Sequence, residues 1–267
     1  PKQGIYNMTV LICGANGSIG SVIAREESKS QKVVGTYRNY DDHAEELDKN
    51  PNITLIQKDV SKSSNMKDVV DLARKQGTIN KVYWLIGESW NVSWHNVTIE
   101  DIRKAIQICA EPVASLILEL KPELMDENNF MRWASVSGLS ATIFPGGKNK
   151  VSTGGAKHLA EFYFKSAAGY YGWRKNLFNN VRLGYSNRTK NLHVGVTGDA
   201  LKKIYDSEIP VSRATGPETP AGLMLWLCSD KNTYMTGQDI VLDGGESIRT
   251  RENSKKQDLF QFGGKHS

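Results

Sequence analysis

The chain has 267 residues, 39% hydrophobic and 24% charged, with a formal net charge of +5. That length and balance suit one large α/β domain or two small ones of ordinary globular composition. The basic residues are scattered apart from the late stretch "RENSKKQ", so the charge reads as solubility and excludes a dedicated nucleic-acid surface. No run is long and apolar enough to span a membrane. The opening "PKQGIYN" lacks the apolar core of a signal peptide. Cys13, Cys109 and Cys228 lie far apart with no CxxC pair, which argues against a disulfide framework and for a reducing, cytoplasmic compartment.

In chain order, "MTVLICGA" is an apolar run ending in glycine, and "SIGSVIAREESKS" follows with helical spacing of Ile19, Val22 and Ile23. "QKVVGTYR" and "NITLIQKDV" are the next strands, and "MKDVVDLARKQG" is an amphipathic helix stopped by glycine. "INKVYWLIGE" is a fourth strand, "TIEDIRKAIQICAEPVASLILELKPELM" one long helix, and "NFMRWASVSG" a fifth strand. The stretch "VSTGGAK" is small, flexible and polar, and Lys157 then enters a further helix, "HLAEFYFKSAAGYYGW". "NNVRLGYS" is a sixth strand, "TPAGLMLWLCSD" a helix and "QDIVLDGG" a last strand. Strands alternating with helices predict a single α/β domain, a doubly wound, mostly parallel sheet with helices on both faces. Its expected span is 8–247, with an irregular loop at about 186–215 and a tail over 248–267.

"GANGSIG", Gly14 to Gly20, lies between the first strand and the first helix. Glycine allows a tight turn and close backbone approach to a pyrophosphate, and the helix start offers unpaired N–H groups. The flanking strand and helix are the context such a loop requires. Gly14, Asn16, Gly17, Ser18, Ile19 and Gly20 are therefore candidate cofactor-binding residues.

The GxxxGxG spacing resembles that of the short-chain dehydrogenase/reductase family. So does "TPAGLMLWLCSDKNTYMTGQDIVLDGG", which is similar to that family's closing helix, turn and strand. The resemblance covers roughly residues 8–247 and implies a Rossmann-type fold and a nicotinamide cofactor. It implies that Asp59 and Val60 of "KDV" contact adenine, and that Gly87 lies on the cofactor's path. Where the family places an acidic residue for NAD, this chain has Tyr37 followed by Arg38. A guanidinium forks onto a phosphate, so NADP(H) is the expected cofactor. No metal is expected.

The resemblance also implies a serine after the fifth strand, a YxxxK pair and an asparagine in the long helix. Ser135 takes the serine role, with Ser137 as a near alternative, and Lys157 takes the lysine role. Thr153 stands where the tyrosine belongs, and Cys109 where the asparagine is usual. Leu85, Ile86, Gly87 and Glu88 replace the family's NNAG. A positioned general acid is worth roughly 10²- to 10⁴-fold in rate, and a threonine hydroxyl is a poor replacement for a phenol. Lys150, at the spacing of the enoyl-reductase branch, is not a tyrosine either. Tyr185, in the loop that passes the nicotinamide in relatives, is the candidate replacement acid, weighed against simple packing. Glu88 could act if buried, and His193 lies in the substrate loop.

The resemblance thus implies an atypical NADPH-dependent reductase of a small or medium-sized metabolite: an imine, an activated alkene or a carbonyl. Two alternatives stay open, a silent nucleotide-binding scaffold or sensor and a non-redox lyase or cyclase. The resemblance also implies a homodimer or homotetramer, built through the helices near 101–120 and 157–175, with no nucleic-acid or membrane partner.

Overall fold

The computed structural model describes residues 8–138, 150–184, 186, 206 and 209–248. Seven strands form one sheet in the order β3-β2-β1-β4-β5-β6-β7. They are β1 (Met8–Cys13), β2 (Lys32–Tyr37), β3 (Ile53–Gln57), β4 (Thr78–Trp84), β5 (Arg132–Gly138), β6 (Leu177–Leu183) and β7 (Asp239–Leu242). Every pairing is parallel. The strand order reverses between β1 and β4, so a crevice opens at the carboxyl ends of those strands.

The helices are α1 (Ser18–Glu27), α2 (Asp42–Asp48), α3 (Met66–Arg74), α4 (Ile99–Cys109), α5 (Glu111–Glu119), α6 (Lys121–Met125), α7 (Val151–Tyr171) and α8 (Glu218–Leu227). Strands covered on both faces carry apolar residues at successive positions, and β1 shows this. Leu11 and Cys13 join the core beneath α3, α5 and α7. Val10 and Ile12 join the opposite core beneath α1 and α8. Trp133 anchors the first core, with ring centroids 5.2 Å from Phe164 and 5.5 Å from Phe178.

The single long helix expected over 98–125 is instead α4, α5 and α6. The breaks have a local cause: Pro112 and Pro122 sit in the first turns of α5 and α6. Proline has no N–H to donate and clashes with the preceding turn. Among the described residues, no helix is long and apolar enough to cross a membrane. All three cysteines are buried and unpaired.

Candidate functional site

The glycine loop follows directly from β1. Gly14 has φ +90°, and a Cβ built there would lie 2.8 Å from Ile86 Cδ1. A Cβ on Gly20 would lie 2.2 Å from the Gly14 carbonyl oxygen, so only glycine lets α1 start this close to the strand. The loop is tied to β2, because Gly14 N–H donates to Thr36 Oγ1 at 3.1 Å and Ala15 N–H to the Thr36 carbonyl at 2.9 Å. Gly17 caps α1, and no side chain accepts a hydrogen bond from the helix's first turn. Those N–H groups, with the positive end of the helix dipole, suit an anion.

Beside this loop lies a cleft of about 360 Å³. It is lined by Gly14, Tyr37 and Arg38, by Asp59 and Val60, and by Gly87 and Glu88 among others. These seven residues come from four loops, and the fold brings them to one place; six were expected at the cofactor and Glu88 as a possible acid or base. Asp59 shapes its turn: its carboxylate accepts from Ser61 Oγ at 2.6 Å and from Ser61 N–H at 3.1 Å. Asn16 reaches across to the Asn39 carbonyl at 2.9 Å. Ile19 is buried against the sheet, and Ser18 opens α1. At the mouth Arg38 Nη1 meets Glu88 Oε1 at 2.9 Å. Glu88 is therefore an exposed, ion-paired carboxylate, not the buried acid or base that was weighed for it.

A smaller cavity, about 40 Å³, lies between β4, β5, α4 and α7. Lys157, Cys109, Ser135, Ser137, Glu161 and Asn180 line it. The Lys157 ammonium passes close to two chain turns, 3.9 Å from the Cβ position of Gly87 and 3.7 Å from that of Gly138. Burial lowers its pKa below the ordinary lysine value, while Cys109 and then Glu161 oppose that shift. Burial likewise raises the Cys109 pKa, with Lys157 pulling it back. Cys109 donates to the Glu88 carbonyl at 3.7 Å.

The serines face this cavity, but their protons are committed. Ser135 is 1% exposed and donates to Asn180 Oδ1 at 2.8 Å. Ser137 donates to Glu161 Oε1 at 2.7 Å and accepts from Asn180 Nδ2 at 3.1 Å. The directions follow from chemistry, since an ionised carboxylate only accepts. Asn180 Nδ2 also points at Glu161 and Asp239, which fixes its amide orientation. Ser135, expected to face the substrate, lines the cavity with its hydroxyl donating to Asn180.

Behind the serines lies a charge network that sequence reasoning missed. Arg182 Nη2 donates to Glu161 Oε2 at 2.6 Å and to Asp239 Oδ2 at 3.0 Å. Lys165 pairs with Asp239, and His158 Nδ1 approaches Glu161 Oε2 at 3.3 Å. A signal was present: Glu161 stands four residues after Lys157, on the same helix face, and Arg182 interrupts an apolar strand.

Thr153 is fully buried, and its Oγ1 has no hydrogen-bond partner among the described residues. It lines neither cavity. Lys150 stands at the N-cap of α7, its backbone bridging to Val92. Tyr185 and His193 lie outside the described residues. Among the described residues, no cluster of His, Cys, Asp and Glu is placed to hold a metal.

Comparison with known proteins agrees with this architecture. A family model described as enoyl-(acyl carrier protein) reductase matches residues 14–247. The 3-oxoacyl-[acyl-carrier-protein] reductase FabG of Aquifex aeolicus (strain VF5) is 23% identical over 249 residues, covering 91% of this chain and 89% of that protein. An L-rhamnose-1-dehydrogenase of Scheffersomyces stipitis is 25% identical over 257 residues, covering 91% and 97%. Among solved structures, the Pseudomonas aeruginosa RhlG/NADP active-site complex superposes with a TM-score of 0.80 at 21% identity, covering 91% of this chain and 98% of that one. A short-chain type dehydrogenase/reductase from Mycobacterium marinum gives 0.77 at 20% identity, covering 92% and 97%.

Proposed function

The chain belongs to the short-chain dehydrogenase/reductase family, and from that premise we propose that it is an NADPH-dependent reductase of a small or medium-sized metabolite. The candidate substrates are an imine, an activated alkene or a carbonyl, reduced without the usual tyrosine. The carrying observation is the glycine-floored cleft with Arg38 at its mouth. The cleft fits a dinucleotide on its own terms. Side chains larger than hydrogen are barred at Gly14 and Gly20, and the first turn of α1 is left without a side-chain cap.

When bound, the nicotinamide supplies hydride. The chain's residues supply the rest. The α1 N–H groups receive the pyrophosphate, and Lys157 holds ribose hydroxyls between the Gly87 and Gly138 turns. Arg38 is available to an adenosine 2′-phosphate. Its present partner Glu88 is exposed, and such pairs are worth at most about 1 kcal/mol. A dianionic phosphate can therefore take the guanidinium.

The test is a fluorescence titration with each cofactor. NADPH should bind at least tenfold more tightly than NADH, and equal affinities would remove the basis of the reading. The burial of Thr153 favours a second reading, a nucleotide-binding scaffold without turnover. Tight NADPH binding, with no oxidation of the cofactor across imines, enones and diketones, would select it. Self-association through the faces of α4, α5 and α7 belongs to the same family-based reading.

A further inference from the structure

We propose that Lys157 is itself the proton donor of this site, in direct contact with the reacting oxygen or nitrogen of the substrate. The proposal rests on the reductase reading above and goes one step past it, by naming the acid.

Among the described residues that line the inner cavity, one group after another is already engaged; Tyr185 and His193 lie outside them. Ser135 donates its hydrogen bond to Asn180 Oδ1, and Ser137 donates its own to Glu161 Oε1. The Asn180 amide is shared among Ser137, Glu161 and Asp239. The Cys109 thiol points at the Glu88 carbonyl. Glu161 accepts two hydrogen bonds from Arg182, and a carboxylate has no proton to donate. Thr153 is walled off from both cavities. That leaves the Lys157 ammonium, for which no hydrogen bond to a described residue is recorded and whose Nζ stands between the carboxyl ends of β4 and β5.

The groups facing Lys157 suit the task. Cys109 approaches from α4 and Glu161 from α7 itself, while β4 and β5 present glycines. Behind Glu161 stand Arg182 and Asp239 from β6 and β7, with Lys165 and His158 on α7. Burial makes the ammonium a stronger acid than free lysine, and Cys109 and then Glu161 oppose that shift. An acid whose pKa approaches the working pH transfers its proton most effectively.

The step balances as follows for a carbonyl substrate. The carbonyl carbon gains the hydride that the nicotinamide supplies, the C=O π pair moves to oxygen, and that oxygen takes a proton from Nζ. NADPH is oxidised to NADP⁺ and the carbonyl is reduced to an alcohol. The neutral amine left at Lys157 then recovers a proton from solvent.

The test has one arm independent of activity. In protein labelled with ¹³Cε-lysine, the Lys157 signal, assigned by its loss in Lys157→Arg, should titrate below the ordinary lysine value. Glu161→Gln should move that midpoint lower still. A midpoint at or above the ordinary value overturns the proposal. The second arm follows NADPH oxidation with 2,3-butanedione, a small activated diketone. Lys157→Arg keeps a cation and N–H donors for ribose but cannot release a proton, because its pKa exceeds 12. Its kcat should fall roughly 10²- to 10⁴-fold, with NADPH affinity changed less than tenfold. Wild-type kcat should decline as pH rises through the NMR midpoint. Retained kcat in Lys157→Arg, a profile that ignores the midpoint, or no diketone turnover with NADPH bound each overturns it. Failure to bind NADPH at all instead sinks the reductase reading and leaves the NMR arm to decide the acid.

Discussion

At the scale of single residues, the site separates holding from reacting. On the proposed reading, cofactor choice turns on Arg38. Arg38→Asp should lower NADPH affinity at least tenfold and leave NADH binding equal or better, measured by the same titration. Thr153 is buried away from both cavities, so Thr153→Ala should leave nucleotide affinity intact. Any turnover should change less than roughly tenfold, well short of the effect of losing a general acid. Lys157→Ala, in contrast, should weaken nucleotide binding by about 1.5–3 kcal/mol, the range for hydrogen bonds to a charged group. The glycine loop, Arg38 after β2 and the threonine four residues before Lys157 were all legible in the sequence, because each depends on residue type within a short window. The commitment of Ser135 was not. Its partner Asn180 sits on another strand, and only the β5–β6 register sets the two opposite each other.

At the scale of elements, α7 carries most of the site on one face and a surface on the other. Lys157 and Glu161 look inward, while Phe162 is 63% and Tyr170 is 71% exposed. On α5, Leu118 is 68% exposed. On the proposed reading these faces meet in a homodimer or homotetramer. Phe162→Asp should then shift the sedimentation coefficient toward that of a monomer, and a wild-type chain already monomeric at micromolar concentration would count against this surface. The inward face makes a different demand. Arg182 is 18% exposed and serves two buried carboxylates, Glu161 and Asp239. Arg182→Met takes the shared guanidinium from both, leaving Asp239 to Lys165 and Glu161 to Ser137, Asn180 and His158, and removing one partner of a buried pair costs about 3–5 kcal/mol. Urea unfolding should show a loss of that order, and a change under 1 kcal/mol would mean water already reaches the cluster. The helix breaks at Pro112 and Pro122 were also written in the sequence, in residues whose missing N–H acts locally. The reading as one long helix weighed apolar spacing above proline chemistry.

At the scale of the whole molecule, buried thiols tie stability to alkaline pH. Burial pushes Cys13 from its ordinary value up to about 12. Tyr83 is raised well above its ordinary value, first by burial, then by Cys228 and Glu27. For both, the native state keeps a proton that the unfolded chain gives up, so stability falls as pH rises above about 9. A group in that window costs about 1.4 kcal/mol per pH unit. Lys157 acts with the opposite sign, since its lowered pKa relieves a burial penalty as pH rises. One lysine does not offset the thiol and the phenol. The urea midpoint should therefore drop between pH 9 and 11, with a shallower slope in Cys13→Ala. A midpoint independent of pH over that range would contradict the burial of these groups.

The sequence by itself determined the order of strands and helices along the chain, the glycine loop after β1 and the threonine four residues before Lys157. Alternation, helical spacing and glycine's φ freedom are local properties, and a chain of this length with seven strands alternating with helices has few ways to cover both faces of a parallel sheet. Only the tertiary structure decided how the charges and protons of the site are spent. Glu161, Arg182 and Asp239 come from three elements, Ser135 and Asn180 from adjacent strands, and Arg38 and Glu88 from opposite walls of a cleft. Such contacts depend on register and strand order over tens of residues. Whether a hydroxyl or an ammonium is free to act depends on which partner lies within about 3 Å, and no local pattern in the chain specifies that distance.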